Sequence, residues 1–161
     1  RAAMDALVAL IAAREVKRQY LALGHKPWTG PAARQVDAAI GRDPRNRLRM
    51  AVGDLQQHAG KTARTLIERL DSEERGCVVR CTLETGRTHQ IRVHMASIGH
   101  PLVGDTLYGG TPAAGLARQA LHAFRLAFVH PVTQAPIALH SPVPADLAEA
   151  LRAWGLDYNR A

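Results

Sequence analysis

Residues 83–110 read LETGRTHQIRVHMASIGHPLVGDTLYGG and hold the densest group of turn residues, cations and histidines in the chain. The run before it, Cys77 to Leu83, alternates apolar residues with others, which predicts a strand. The Thr85-Gly86 step marks a turn at the end of that strand. The stretch therefore begins with a predicted strand and a turn, and that turn determines where the following segment starts.

The segment after the turn has helical spacing. Apolar residues recur at the intervals of one helical face, at Ile91, Met95 and Ile98. This pattern predicts a helix over residues 89–98, capped by the Thr88 hydroxyl and ended by Gly99. Arg92 falls on a different face from the apolar stripe, so its side chain can point away from the core.

Cations and histidines of this stretch lie beside a tight glycine turn, at Arg87, His89, Arg92, His94 and His100. Guanidinium groups and free backbone amides together suit a phosphate or a carboxylate. An ordinary capped helix with solvated charges is the alternative. A metal hydrolase using the histidines is weaker, because His89 and His94 are five residues apart, unlike the i, i+4 pair of a zinc helix.

Composition favours one domain over residues 1–161. The chain has 161 residues, of which 47% are hydrophobic and 22% charged, enough for a real core. No apolar run approaches the roughly 18 residues of a membrane span, and the first residues lack the order of a signal peptide. We therefore expect a cytoplasmic protein with no membrane partner.

Charge suggests the class of partner. The net charge of +7 indicates a polyanion such as RNA, although generic solubility is an alternative. Four arginines between Arg42 and Arg49 face one acid, Asp43, and predict either a phosphate-contacting edge or a solvated loop. Aromatic residues make up only 4% of the chain, so a surface of base-stacking rings is not indicated.

The two cysteines, Cys77 and Cys81, belong to one predicted strand and share its face. Four residues of extended chain separate them too far for easy bridging. We expect both to be reduced, buried strand residues, with a zinc pair as the alternative.

The remaining patterns add strands and two flanking helices. Helices are expected over residues 3–14 and from Pro144 onward; strands are expected over 16–23, 34–40, 62–70, 77–84, 120–130 and 136–139. Many strands and few helices indicate an α+β domain, a mainly antiparallel mixed sheet flanked by a few helices.

Three segments resemble one known family. TGRTHQIRVHMASIGHPLVGDTLYG, residues 85–109, is similar to the third sequence motif of the bacterial large-ribosomal-subunit pseudouridine synthases, with the D type the nearest. KRQYLAL, residues 17–23, resembles the motif around their active-site tyrosine, and residues 118–147 resemble their C-terminal part. The resemblance covers essentially the whole chain and implies the catalytic-domain fold of that family.

The resemblance also implies an activity and a set of site residues. These enzymes isomerise uridines in RNA, here large-subunit ribosomal RNA, to pseudouridine, and they need no metal or organic cofactor. Arg92 matches the arginine that pairs with the catalytic carboxylate. Tyr20 matches the tyrosine that packs on the target base and can take the proton from carbon 5. Leu121 is expected to line the base; the expected RNA contacts are Arg87, His89, Lys61 and Arg47.

One part of the family pattern is absent from the sequence. The catalytic aspartate belongs to a His-Arg-Leu-Asp motif followed by Thr-Ser-Gly, whereas the only match here, Arg69-Leu70-Asp71, lacks that context. Asp105 lies in a turn, where we expect it to bond to the turn backbone. We expect the chain to be the larger C-terminal part of a catalytic domain, without the aspartate motif and the N-terminal RNA-binding domain. It would be inactive alone and monomeric when complete; a non-catalytic RNA-binding module is the alternative.

Overall fold

The computed structural model describes residues 5, 16–46, 48–53 and 60–159. The strands are β1 (Lys17–His25), β2 (Ala33–Asp37), β3 (Ile40–Arg42), β4 (Met50–Val52), β5 (Arg64–Ser72), β6 (Gly76–Leu83), β7 (Leu121–Val129) and β8 (Pro136–His140). The helices are α1 (Gln90–Ser97) and α2 (Ala145–Ala153), with a 3₁₀ turn at Thr106–Tyr108.

Six of the strands form one sheet in the order β2-β5-β6-β1-β7-β8, and β3 and β4 form a separate two-stranded ribbon. Every pairing is antiparallel. The expected α+β class with a mainly antiparallel sheet is therefore confirmed. The strand expected over 34–40 is two strands, because the chain leaves the sheet after Asp37 and Ile40 pairs with Val52 in the ribbon. The helix expected over 3–14 lies outside the described residues, except for Asp5.

A helix covers each face of the large sheet. Side chains alternate along a strand, so β1 sends Ala22 to one face and Leu21 and Leu23 to the other. The Ala22 face packs against Ile91 and Met95 of α1, as the apolar stripe predicted. The opposite face packs against α2; the buried residues of that helix and its C-cap are Leu147, Ala150, Leu151 and Trp154. Arg92, the expected site residue on α1, therefore lies on the same side of the sheet as Ala22.

Cys77 and Cys81 are free thiols, fully buried on the α1 face of β6, which confirms the prediction for both. Burial raises the pKa of Cys77 to about 12 and also raises the pKa of Cys81. Among the described residues, no group of three or more His, Cys, Asp and Glu side chains is placed to hold a metal ion. No described helix is both long enough and apolar enough to cross a membrane.

The loop between α1 and β7 is fastened to β1. Val103 donates its N–H to the Leu23 carbonyl at 3.0 Å, and Ala120 donates to the Val103 carbonyl at 2.9 Å. Gly104 follows with φ +79°, and a Cβ there would overlap the carbonyl oxygen of Arg118. Only glycine fits such a close approach in that conformation. The residue after it, Asp105, therefore has a fixed place beside α1.

Candidate active site

A buried chain of hydrogen bonds attaches the start of α1 to the sheet. The Thr85 hydroxyl accepts from the Arg64 N–H at 2.9 Å and donates to Gln90 Oε1 at 2.7 Å. The Gln90 amide nitrogen donates in turn to the Arg64 carbonyl at 2.8 Å and to the Thr65 hydroxyl at 2.9 Å. Gln90 thus uses both donors and its acceptor, so its burial costs little.

The same chain continues through His94, which has no solvent exposure. Nε2 of His94 lies 2.8 Å from the Ala38 carbonyl, which can only accept, so Nε2 carries the proton. Nδ1 therefore accepts, at 2.8 Å, from the Thr65 hydroxyl. Burial lowers the pKa of His94, although the Ala38 carbonyl and the charge of Asp37 act in the opposite direction. The ring is neutral, with one tautomer fixed by its partners.

Thr88 does not cap the helix, so that prediction is wrong. His89 occupies the N-cap position, with φ 56° and ψ 24°, and makes no side-chain cap bond. The reason is the Thr85-Gly86 turn, which brings Gln90 back to accept from the Arg87 N–H at 2.9 Å. The Gln90 side chain thus holds the turn before the helix in place, and Thr88 remains exposed. Gly99, with φ +90°, follows the helix end as predicted.

Arg92 makes a two-point ion pair with Asp105. Nε donates to Oδ2 and Nη2 donates to Oδ1, both at 2.9 Å. The two side chains are only 15% and 2% exposed, respectively. The hydrogen bonding to Asp105 raises the pKa of Arg92 against the effect of burial. Arg92 thus leaves the apolar stripe as expected, but it lies over a carboxylate instead of extending into solvent.

The prediction that the Asp105 side chain bonds to the turn backbone is therefore wrong. The main-chain carbonyl of Asp105 closes the turn instead, accepting from Tyr108 N–H at 3.2 Å and Gly110 N–H at 2.9 Å. With the turn closed in this way, both carboxylate oxygens are left for Arg92.

Tyr108 lies against the guanidinium groups of Arg92 and Arg49, a contact that sequence analysis missed. Its ring centroid is 5.0 Å from Cζ of Arg92 and 5.2 Å from Cζ of Arg49. Its hydroxyl accepts from the Met50 N–H at 2.8 Å and lies 2.7 Å from Nδ1 of His89. Burial raises the pKa of the phenol and lowers that of His89. The available signal was its position three residues after Asp105 in a rigid loop.

Tyr20 and Leu121 lie on the α1 face of the sheet, where both pack against the core that contains Ile91. The pairing of β1 with β7 places Tyr20 opposite Ala123 and Leu121 opposite Ala22. Tyr20 is half-buried, so part of its side chain remains accessible. The two residues expected to contact a base thus share the face that α1 covers.

Arg18 is a second residue that sequence analysis missed. It is two residues before Tyr20 on β1, opposite Leu83 at the end of β6. Its guanidinium lies against Gly86, where an added Cβ would be 2.5 Å from Nη1. Its Nε is buried and has no hydrogen-bond partner among the described residues. A cation therefore lies between the tyrosine strand and the motif turn.

The remaining predicted RNA contacts separate into groups. Lys61 and Arg87 line one cavity of about 300 Å³, together with Arg42. Nε of Arg87 also donates to the Thr62 carbonyl at 2.8 Å, which fixes its position. His89 is half-buried against Tyr108 and does not line that cavity. Arg47 lies outside the described residues.

The arginine-rich loop has less free charge than its sequence suggests. Asp43 is buried and lies 3.3 Å from Nε of Arg49 and 3.6 Å from Nε of Arg45. Arg49 also contacts the Tyr108 ring, so it faces inward. Arg45 remains 90% exposed and available to a polyanion.

The chain matches the sequence pattern of one known family. The pattern of the family described as RNA pseudouridylate synthase matches residues 1–97, which include Tyr20 and Arg92. The chain belongs to the RNA pseudouridylate synthase family.

Two bacterial proteins illustrate the curated relatives of this chain. It is 43% identical over 94% of its length to ribosomal large subunit pseudouridine synthase D of Xylella fastidiosa. It is 44% identical over 99% of its length to the protein of the same name from Xanthomonas campestris pv. campestris. The matches cover 48% and 50% of those two relatives, so the chain spans about half the length of the curated relatives it matches.

Solved structures share the synthase fold. Human RNA pseudouridylate synthase domain containing 1 matches with a TM-score of 0.74 at 28% identity, over 96% of this chain and 65% of that one. Human RNA pseudouridylate synthase domain containing 4 matches with a TM-score of 0.76 at 23% identity, over 95% of this chain and 67% of that one. The sheet with a helix on each face is thus the fold of this family.

Because His94 is held neutral, stability should depend on pH. An unfolded histidine has a pKa near 6.5, and the folded value is lower, so the unfolded state binds the additional proton. We expect the free energy of unfolding, measured with urea, to be constant above pH 7.5. It should fall below pH 6.5 by up to about 1.4 kcal/mol per pH unit for this histidine.

His94→Gln is the variant that assigns this effect. It should lower stability at pH 7.5, since the bonds to Thr65 and Ala38 are disturbed, but it should reduce the pH slope. His89, whose pKa is also lowered, would account for part of the slope that remains. An identical slope in the variant and the parent would show that His94 is not the titrating group.

Proposed function

We propose that this chain supplies most of the catalytic domain of an RNA pseudouridine synthase, an isomerase acting on uridines of large-subunit ribosomal RNA. The observation that supports this most directly is the fixed Arg92 guanidinium, on the helix that covers the face carrying Tyr20 and Leu121. Family membership and the names of the curated relatives support the substrate class.

The reaction needs a carboxylate, a cation that holds it and a pocket for the base. The bond between ribose and base nitrogen breaks, the base turns, and carbon 5 joins the sugar. Charge develops on the sugar and on the leaving base, as in glycoside cleavage. In this proposal Arg92 orients the reacting carboxylate and keeps it in its ionised form. A uridine taken out of its stack packs between Tyr20 and Leu121. The Tyr20 oxygen takes the proton from carbon 5, and the ring nitrogen freed from the sugar gains a proton from water, so no proton is lost overall.

Asp105 is not the reacting carboxylate. Its side chain is 2% exposed and both oxygens accept from Arg92, so neither can approach a ribose. The reacting group is therefore a second carboxylate, which the aspartate motif of the family would supply and which has no counterpart in these 161 residues. For this reason we propose that the 161 residues bind RNA but do not isomerise it.

RNA contacts in this proposal come from the cavity lined by Lys61 and Arg87 and from exposed Arg45. Guanidinium and ammonium groups there would hold phosphates and position the strand without reading its sequence. His89 and Arg47 remain proposed contacts. Residues 1–161 act as one domain and, when the catalytic domain is complete, as a monomer in the cytoplasm without metal or organic cofactor.

A second candidate is an RNA-binding module without catalysis, for which the cations at Lys61, Arg87 and exposed Arg45 would be sufficient. The two candidates agree on RNA binding and differ only in what happens when the motif is present. A chain preceded by an upstream segment carrying that motif, referred to below as the extended chain, separates them.

The catalytic prediction compares the 161-residue chain with the extended chain. Only the extended chain should form pseudouridine, detected by pseudouridine-specific chemical mapping of ribosomal RNA. In it, Arg92→Ala should lower kcat by about 10²–10³, with a smaller change in KM, because it removes the partner that positions the reacting carboxylate. Tyr20→Phe should keep RNA affinity and lose proton transfer, whereas Tyr20→Ala should also lose base packing.

Turnover by the unextended chain would contradict the proposed need for a second carboxylate. An extended chain that binds RNA without forming pseudouridine would favour the binding module instead.

The binding prediction concerns salt. The 161-residue chain should bind RNA with an affinity that falls as salt rises, each phosphate contact contributing about −0.7 to −0.9 to the log–log slope. Lys61→Ala should make the slope shallower by one contact. Arg152→Ala, an exposed cation on α2 and so on the opposite face of the sheet, is the matched control and should leave the slope unchanged. Equal slopes for all three proteins would remove Lys61 from the interface.

A further inference from the structure

Arg92 has more donors than Asp105 uses. A guanidinium carries five N–H groups, which form two separate forks. Asp105 occupies the inner fork, made by Nε and one hydrogen of Nη2. The outer fork, made by Nη1 and the second hydrogen of Nη2, points away from Asp105. Among the described residues no side chain or carbonyl accepts from Nη1, and the arginine retains some exposure.

Two contacts together determine the orientation of the guanidinium. The Tyr108 ring, 5.0 Å from Cζ, limits the tilt of the guanidinium plane. The two bonds to Asp105 then fix rotation within that plane. Neither contact alone would direct the outer fork, since the ring leaves rotation within the guanidinium plane free and the two bonds to Asp105 leave the tilt of that plane free.

The position of Asp105 is more constrained than that of an exposed carboxylate paired with an arginine. It is almost fully buried, and Arg92 is the only described side chain that donates to its carboxylate. Gly104 before it packs on the Arg118 carbonyl, and a Cβ at Gly110 would lie 3.0 Å from the Asp105 carbonyl oxygen. Burying a charge is expensive unless it is paired, so a loop this tight commits the carboxylate to Arg92.

We propose that Asp105 is a positioning residue that holds the inner fork of Arg92 so that the outer fork is directed at the reacting carboxylate. Arg92 thereby bridges two carboxylates with different tasks: the buried one orients the arginine, and the second one reacts. This inference rests on the proposed function for the identity of the second carboxylate. The inner pair itself belongs to the described structure.

Kinetics of the extended chain test the role. Asp105→Asn should lower kcat about 100-fold, the size expected of a misplaced catalytic contact, and leave KM for RNA within about threefold. In the Arg92→Ala background the same substitution should lower kcat no further, because Asp105 acts only through Arg92. A merely structural Asp105 would lower kcat in both backgrounds.

Glu68→Gln is the matched control. Glu68 also holds an arginine by two bonds, both 3.1 Å long, to Nε and Nη2 of Arg80. That pair lies on the α2 face, where Arg80 lines a cavity with Leu21 and Leu70. Breaking it should leave kcat unchanged, which shows that loss of an arginine pair elsewhere is not the cause.

A measurement without catalysis separates this inference from the proposed function. In the 161-residue chain, the Nε–H proton of Arg92 should exchange slowly with water by NMR, and Asp105→Asn should make it exchange rapidly. Loss of kcat with Arg92 exchange unaltered would overturn the positioning role, as would an unchanged kcat. If the extended parent forms no pseudouridine, the proposed function fails, while the exchange result still decides whether Asp105 holds Arg92.

Discussion

The position of α1 depends on a polar chain buried where apolar packing would be the ordinary solution. Thr85, Gln90, Thr65 and His94 satisfy one another in sequence, and the chain ends on the Ala38 carbonyl. Each hydroxyl both accepts and donates, and His94 must be neutral for the pattern to close. Such a network costs little only while it is complete, so it permits one placement of the helix and disfavours shifted ones.

The placement of α1 determines the position of Arg92. Its backbone is fixed by the interior chain on one side of α1, and its side chain is fixed by Asp105 and Tyr108 on the other. Tyr108 also accepts from Met50, which begins β4 of the ribbon beside the arginine-rich loop. The cation expected to serve catalysis and the loop expected to meet RNA are therefore joined through one aromatic ring.

Local patterns predicted the elements but not their partners. The apolar spacing of α1 and the alternation of β6 were enough to place both, since each depends on neighbouring residues. Arg92 and Tyr20 came from the family resemblance, and the structure brings their elements together. Asp105 was misread because its partner is 13 residues away, and Tyr108 was missed because it meets Met50 across 58 residues. The prediction of a cap at Thr88 was wrong for a related reason. Gln90 bonds to Arg64 and Thr65 of β5, and rules based on neighbouring residues cannot predict such a distant contact.

Asp105 and Arg92 act as one unit inside a fixed framework. A double-mutant cycle in the 161-residue chain measures this directly, using the free energy of urea unfolding for the parent, Arg92→Ala, Asp105→Ala and the double variant. Each single change leaves a partner charge unpaired, so the double variant should be more stable than the sum of the single losses implies. We predict a coupling free energy of about 1–3 kcal/mol. Additive losses, with a coupling near zero, would show that Asp105 and Arg92 act independently.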